Sequence, residues 1–183
     1  MFTLWPDKRR DFSSLSEREI LSLAIAAEEE DGRIYSELAT RLEQTYPGTA
    51  ALLEAMAAEE DEHRRRLLDI YVARFGRRLV PIRREHVRGF LRRKPVWLMK
   101  SLTLEQARQE VWEMEESAYR FYLEAGRQAS DAEIRKLLGD LARAERGHAK
   151  SATQLDEELL GATGREAERS AAHRQFLLTY VQP

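Results

Sequence analysis

The stretch AEEDEHRRRL, residues 58–67, decides the fold because it places Glu60 three residues before His63. Residues three apart lie on one face of a helix, so this carboxylate and this imidazole point the same way. Both interrupt an apolar stripe that predicts a buried helix face between about residues 49 and 75. One Glu-x-x-His motif in a chain this rich in Glu is commonly a surface accident, so its weight depends on whether it recurs.

The motif does recur, in ARAERGHAKS at residues 142–151, where Glu145 precedes His148. This copy also interrupts an apolar stripe, on a helix predicted from about residue 131 to 160. Two of the four histidines in the chain therefore have a Glu three residues before them. Two such copies on equivalent helices favour a metal site over chance.

Each copy follows a second amphipathic helix that carries a Glu and, seven residues later, a Tyr. The first pair is Glu28 with Tyr35, and the second is Glu115 with Tyr122. Aligning the tyrosines superposes the glutamates, so the two halves of the chain form a weak internal repeat. Each tyrosine is expected either to fill the core or to hydrogen-bond a carboxylate of the other half and orient it.

The choice of Glu115 rests on its spacing to Tyr122 and on the repeat. Glu113 and Glu116 are close enough in sequence to be alternatives.

The helix signals predict an all-α chain. Capping patterns at Ser16 and Glu19, Thr103 and Gln106, and Ser130 and Glu133 mark three helix starts. Pro47-Gly48 is expected to break the chain and Gly76 to end the second helix. The helices are predicted at about 17–45, 49–75, 104–128 and 131–160, with a further helical segment from Thr163 to about Tyr180. Two helix hairpins joined by a long crossover form a four-helix bundle of the ferritin-like kind.

The predicted organisation has three parts. Residues 1–15 are an irregular arm, residues 16–160 the bundle with a basic crossover at 77–102, and residues 161–183 a C-terminal helix. Short helical turns are expected in the crossover around 84–92 and 96–101.

Composition excludes several kinds of chemistry. The chain has 183 residues, 34% of them charged, and a net charge of -2, so no strong nucleic-acid signal is present. It contains no Cys, which excludes disulfides, thiolate zinc sites and iron–sulfur clusters.

Four carboxylates in one core need positive charge between them, and two divalent ions supply it. Oxygen and imidazole ligands without sulfur suit iron or manganese more than copper or zinc.

The crossover is strongly basic. From Arg74 to Lys100 it carries ten Lys or Arg and a single acidic residue, Glu85. Such a run is usually a solvated face, and the alternative is contact with an anionic surface such as phospholipid headgroups. The remaining histidines, His86 in this segment and His173 near the C-terminus, are expected to be solvated.

The ordered set Glu28…Tyr35, Glu60-x-x-His63, Glu115…Tyr122, Glu145-x-x-His148 resembles the rubrerythrin-like members of the ferritin superfamily over about residues 14–160. The resemblance implies two iron ions, with manganese or zinc as substitutes. It also implies that Glu60 and Glu145 contribute to both ions or cap them, that His63 and His148 are terminal ligands, and that Glu28 and Glu115 complete the site.

Two departures from the rubrerythrin pattern affect the expectation of peroxidase turnover. The family usually carries a Cys-rich rubredoxin domain that delivers electrons, and this chain has no Cys. The family also has a carboxylate three residues after the third-helix Glu, where this chain has Ala118. A self-sufficient peroxidase is therefore not expected.

The stretches AIAAEEEDGRIY, EEDEHRRRL and EMEESAYRFYLEA are similar to the erythrin domain of the membrane-bound ferritin A family. That resemblance implies a homodimer on the cytoplasmic side of the inner membrane. It also implies that Fe²⁺ is captured and oxidised by dioxygen or peroxide for iron export and protection against peroxide stress. The apolar end HRQFLLTYVQP leads to the expectation that a natural chain continues into a membrane domain resembling vacuolar iron transporters.

Three rival functions remain open at this stage. One is a rubrerythrin-type peroxidase fed by an external electron donor, and another is a non-catalytic iron-sensing adaptor. The weakest is a helical interaction domain without metal.

Overall fold

Four α-helices form the architecture. The computed structural model describes residues 9–89, 93–94 and 104–154, and side chains as far as residue 150. Within these ranges the helices are α1 (Glu17–Leu42), α2 (Pro47–Phe75), α3 (Leu104–Gln128) and α4 (Ala132–Gln154). Two 3-10 turns, Phe12–Ser14 and Arg84–His86, accompany them. No β-strand occurs in the described ranges, where Arg10 and Val87 form an isolated bridge. The predicted all-α, ferritin-like bundle is confirmed.

The helices pair as two hairpins. α1 packs along α2, and α3 packs along α4. The hairpins meet through α1 against α3 and through α2 against α4. The repeat in the sequence is therefore a repeat of one hairpin.

Local signals at two helix ends act as predicted. Ser16 accepts a hydrogen bond from the Glu19 backbone N–H, and the Glu19 side chain accepts one from the Ser16 N–H, which completes the capping box of α1. At the end of α2, Gly76 has φ 79° and ψ -179°, a conformation that side-chain-bearing residues rarely adopt.

Two predicted boundaries are wrong in detail. Pro47 is the first residue of α2 rather than part of the break, since the missing N–H of a proline carries no cost at that position. The cap of α4 is Asp131 rather than Ser130, because the Asp131 carboxylate accepts hydrogen bonds from the backbone N–H groups of Glu133 and Ile134. Ser130 instead donates to the Glu17 carboxylate, through its backbone N–H at 3.1 Å and its hydroxyl at 3.5 Å.

Some predictions lie wholly or partly outside the described residues. The turn expected at 84–92 is present as the 3-10 turn Arg84–His86. The turn expected at 96–101, Thr103 of the third capping pattern and the helix expected from Thr163 fall on residues that are not described. His86 is exposed, as expected, and His173 is not described.

The apolar core is divided into two clusters along the bundle. The first includes Leu21, Leu67, Phe121 and Leu138, and the second includes Ile34, Leu53 and Met114. On α1, α2 and α3 the two clusters occupy opposite sides of a short polar interval. That interval places the Glu and His side chains of all four helices at one level of the bundle.

The described residues of the crossover, 77–89 and 93–94, lie against the bundle and the N-terminal arm. Arg10 exchanges backbone hydrogen bonds with His86 and Arg88, and Phe12 stacks edge-on against Phe121 with ring centroids 5.6 Å apart. The side chain of Arg93 is almost fully covered, with 1% of it exposed. That residue of the crossover is therefore not part of a solvated face. Across the described helices, none combines the length and the apolarity needed to cross a membrane.

Candidate metal centre

Six polar side chains from all four helices meet between the two apolar clusters. The six are those expected from the sequence: Glu28 of α1, Glu60 and His63 of α2, Glu115 of α3, and Glu145 and His148 of α4. Each of these six residues is buried, with at most 7% of the whole residue exposed. A helix can place a polar residue in the core without losing its apolar stripe when the polar residue replaces one member of the stripe. Here this substitution happens at the same level on four helices.

The six side chains form two overlapping groups of four. One group contains Glu28, Glu60, His63 and Glu145, and the other contains Glu60, Glu115, Glu145 and His148. Within each group, one ligand atom from every residue lies within 4.8 Å of all the others. Glu60 and Glu145 belong to both groups. Each group could therefore hold one metal ion, with Glu60 and Glu145 shared between the two.

The two imidazoles lie in equivalent surroundings. His63 Nδ1 lies 3.3 Å from Glu28 Oε2, 3.1 Å from Glu60 Oε2 and 3.4 Å from Glu145 Oε1. His148 Nδ1 lies 3.4 Å from Glu60 Oε1, 3.6 Å from Glu115 Oε2 and 3.9 Å from Glu145 Oε2. The rings stack with centroids 5.9 Å apart and an angle of 21° between their planes. The internal repeat of the sequence therefore corresponds to a repeated arrangement of ligand atoms in the structure.

The two tyrosines hydrogen-bond across the hairpins. The Tyr35 hydroxyl of α1 donates to Glu115 Oε1 of α3, and the Tyr122 hydroxyl of α3 donates to Glu28 Oε1 of α1. Burial, with the nearby carboxylates, raises the pKa of both hydroxyls well above the ordinary value, so they remain donors. Each bond fixes one oxygen of a carboxylate and leaves the other facing the cluster.

Five buried atoms of the cluster make no hydrogen bond. They are Glu28 Oε2, Glu60 Oε1, Glu115 Oε2, Glu145 Oε1 and His148 Nδ1. Each of the four oxygens lies 3.3–3.6 Å from an imidazole Nδ1, without hydrogen-bond geometry. Buried polar groups are normally satisfied, and leaving one unpaired costs about 1–3 kcal/mol. Four carboxylate oxygens and an imidazole nitrogen that converge without partners fit a pair of divalent cations.

Protons compensate the carboxylates where no metal is bound. Burial and the Glu60 carboxylate raise the pKa of Glu28 to about 8, and burial with Glu60 and Glu115 raises the pKa of Glu145 well above its ordinary value. Burial lowers the pKa of His63, but the carboxylates of Glu28 and Glu60 outweigh it and raise that pKa to about 10. Metal ions and protons therefore compete for the same atoms.

His148 and Glu60 follow the same pattern of opposing effects. Burial lowers the pKa of His148, but Glu115 and Glu60 outweigh it and raise that pKa to about 12. Burial raises the pKa of Glu60, but its interactions with His148 and His63 outweigh burial and lower it. Glu60 is thus the carboxylate that both imidazoles keep ionised.

The structure places Glu115, and neither of its neighbours, in the cluster. Glu113 is exposed and accepts a hydrogen bond from Gln109, while Glu116 is half-buried and pairs with Arg120.

Two features beside the cluster were not expected from the sequence. Asp31, one turn after Glu28, is buried and paired with Arg93 of the crossover, with two N–O distances of 2.5 Å. Glu59 of α2 contacts His148 of α4. The signal for Asp31 was its position three residues after Glu28, which puts it on the same helix face. Nothing in the sequence distinguishes Arg93 from the other arginines of the crossover.

A bundle of two helix hairpins with a Glu on one helix and Glu-x-x-His on the next, repeated, defines the class of ferritin-like proteins with a carboxylate-rich metal centre. The rubrerythrin family model matches residues 19–156, and the chain belongs to the rubrerythrin family.

The solved structure of a hypothetical protein from Pyrococcus furiosus is similar to this chain. The TM-score is 0.64 and the identity 22%, over 94% of this chain and 96% of the other. At that identity the likeness shows the shared fold. A search of curated proteins found no match.

Proposed function

We propose that this chain binds two iron ions in the centre between its hairpins and acts as a ferroxidase that captures and oxidises Fe²⁺. The observation that carries the proposal is the convergence of five buried, unpartnered ligand atoms from four helices. A core of apolar side chains would be cheaper to build, so an arrangement of this kind points to bound cations.

The side chains have separable roles in this proposal. Glu60 and Glu145 lie in both groups and would be shared by the two ions, while His63 and His148 would each serve one. Tyr35 and Tyr122 hold Glu115 and Glu28 in place. The apolar clusters on either side exclude bulk water.

Fe²⁺ is the substrate in this proposal. Bound iron supplies one-electron chemistry toward a small oxidant. In the balanced reaction, two Fe²⁺ give two electrons to one hydrogen peroxide, which takes up two protons and leaves as two waters. Dioxygen is the alternative oxidant. Manganese or zinc would occupy the same oxygen and imidazole ligands as substitutes.

The test is anaerobic Fe²⁺ titration of metal-free protein, followed by addition of oxidant and measurement of Fe³⁺ absorbance. We expect two ions per chain, and we expect Glu60→Ala with Glu145→Ala to abolish binding because both groups lose two ligands. The matched control is Glu113→Ala with Glu116→Ala, which removes two carboxylates outside the cluster. Equal iron binding by the parent and the Glu60–Glu145 double variant would overturn the site.

Two further measurements on the iron-loaded protein separate the rival functions. Sustained peroxide consumption with an external electron donor would identify a rubrerythrin-type peroxidase. Iron binding that changes self-association without oxidation would identify a sensing adaptor. The buried Ala118, which stands where the family pattern has a carboxylate, supports oxidation of Fe²⁺ over repeated peroxide turnover.

Assembly and location remain predictions. We propose a homodimer at the cytoplasmic face of the inner membrane that passes oxidised or captured iron toward export, and the support is the resemblance to the erythrin domain. Sedimentation velocity tests the dimer. Co-sedimentation with anionic and neutral vesicles tests whether the basic crossover contacts lipid.

A further inference from the structure

A contact between the two hairpins links a residue outside the ligand cluster, Glu59, to a member of the cluster, His148. The Glu59 carboxylate Oε2 of α2 lies 2.7 Å from His148 Nε2 of α4. The Glu59 side chain is 59% exposed and the His148 side chain 9% exposed, so a surface carboxylate contacts the outer nitrogen of a buried imidazole.

This contact determines which nitrogen of His148 faces the cluster as a ligand. A carboxylate accepts a hydrogen bond, so Nε2 carries the proton. When the ring is neutral, the lone pair is then on Nδ1. That atom is the buried, unpartnered one, and it lies 3.4 Å from Glu60 and 3.6 Å from Glu115. The hydrogen bond therefore fixes both the tautomer and the ring orientation needed for coordination.

Within the described part of the chain, His63 has no equivalent of this contact. Glu59 directly precedes Glu60, and the residue that directly precedes Glu145 is Ala144. An alanine side chain offers no acceptor. Among the described residues, none forms a hydrogen bond with His63 Nε2. Two imidazoles with equivalent inner surroundings thus differ in their outer partner.

We propose that Glu59 is a positioning residue that holds His148 as a metal ligand and makes the two metal positions unequal. The position on the Glu115–His148 side then fills first and binds more tightly than the position on the Glu28–His63 side. The physical reason is that a carboxylate partner makes an imidazole a better electron-pair donor and lowers the entropy lost on coordination. The inference rests on the proposed function, because it concerns the same two-metal centre.

The test is calorimetric titration of metal-free protein with Mn²⁺ at one fixed pH. The parent should show two binding steps of different affinity. Glu59→Ala should weaken the tighter step about tenfold, the lower end of the range for such partners because Glu59 is largely exposed. Glu59→Gln keeps an acceptor oxygen without the charge. Its affinity for the tighter Mn²⁺ step should lie between those of the parent and of Glu59→Ala. Glu62→Ala is the matched control, since Glu62 lies on the same helix, is exposed and pairs with Arg65.

A converse variant tests the asymmetry directly. Ala144→Glu places a carboxylate at the equivalent position of the second hairpin, and it should strengthen the weaker step and bring the two affinities together. In Zn²⁺-loaded, ¹⁵N-histidine-labelled protein, the His148 Nε2 proton should be visible and slow to exchange. That signal should be lost in Glu59→Ala and kept in Glu59→Gln.

The outcomes are distinguishable. If the parent binds two Mn²⁺ ions and Glu59→Ala leaves both steps and the His148 signal unchanged, the inference is overturned and the proposed function stands. If the folded parent binds no Mn²⁺, the two-metal centre itself is overturned, and the inference with it.

Discussion

Two of the four carboxylates in this core, Glu28 and Glu115, are each held by a tyrosine of the opposite hairpin. The Tyr35 and Tyr122 hydroxyls bind one oxygen of Glu115 and of Glu28 and leave the second oxygen free. A tyrosine in this position does two things at once, because its ring fills the core and its hydroxyl orients a ligand. The carboxylates are therefore preorganised before any cation binds.

Replacing either tyrosine by phenylalanine tests that preorganisation. Tyr35→Phe leaves Glu115 Oε1 buried without a donor, which should lower the free energy of unfolding of metal-free protein by about 1–3 kcal/mol. With saturating Mn²⁺ the loss should be smaller, because the cation compensates the carboxylate. Urea unfolding with chelator and with Mn²⁺ measures both values.

The control for these variants is Tyr119→Phe. The Tyr119 hydroxyl accepts a hydrogen bond from Arg146, which is not a member of the cluster. Its loss should change the stability little, and equally with and without Mn²⁺. Equal losses with and without Mn²⁺ in Tyr35→Phe would contradict the orienting role.

At the scale of elements, the crossover is tied to the bundle by a buried ion pair. The Arg93 and Asp31 side chains are 1% and 7% exposed. Burial raises the pKa of Asp31 to about 6 although Arg93 opposes that rise. Removing one partner of a buried pair leaves the other charge uncompensated, which typically costs about 3–5 kcal/mol.

We therefore expect Arg93→Met to lower the free energy of unfolding by about 3–5 kcal/mol, and Asp31→Leu with Arg93→Met to recover most of that loss. Urea unfolding at neutral pH measures both. The control is Arg88→Met, which breaks the pair between Arg88 and Asp11, whose side chains are 48% and 67% exposed. Solvent screens that pair, so its loss should be barely detectable. A double variant as unstable as the single one would contradict the ion-pair explanation.

The end of α2 provides a test of backbone conformation. Gly76 has φ 79° and ψ -179° with open space around its Cα, so Gly76→Ala should destabilise the chain by about 1–3 kcal/mol through backbone strain alone. Gly139 lies inside α4, also with open space, and Gly139→Ala should stabilise by up to about 1 kcal/mol. Thermal unfolding of both variants measures the two effects. Changes of the same sign would contradict the assigned conformations.

The helical periodicity of the sequence predicted the features that depend on which helix face a residue occupies. It missed the contacts for which several similar residues were candidates. The spacing of Glu60 to His63 places both on one face, and the repeat then places the second pair, so the cluster could be assembled from the sequence. The cap of α4 could not, because Ser130 and Asp131 both suit that position and the contact of Ser130 with Glu17 decides between them. The segment from Arg74 to Lys100 offered ten basic residues for Asp31, and only the folded chain shows that Arg93 reaches it.

For the whole molecule, the metal centre links stability to pH. The pKa of Glu28 rises from 4.5 to about 8 and that of His63 from 6.5 to about 10. The folded, metal-free protein therefore holds more protons at this site than the unfolded chain does. For a raised pKa the stabilisation is complete below the unfolded value and is lost as the pH rises through the folded value. The contribution of Glu28 is complete below about pH 4.5 and lost by about pH 8, and that of His63 is lost toward pH 10.

Metal-free protein should consequently become less stable between pH 5.5 and 8.5, while Mn²⁺-saturated protein should become more stable across the same interval. Bound cations need the deprotonated ligands, so affinity rises with pH, and tighter binding raises stability by mass action. Melting temperatures at pH 5.5, 7 and 8.5, with chelator and with Mn²⁺, give the two slopes. Glu28→Gln removes one of the titrating groups and should flatten the metal-free slope. If the metal-free melting temperature falls no more steeply in the parent than in Glu28→Gln, Glu28 is ionised without metal, and this carboxylate does not hold a proton in place of a cation.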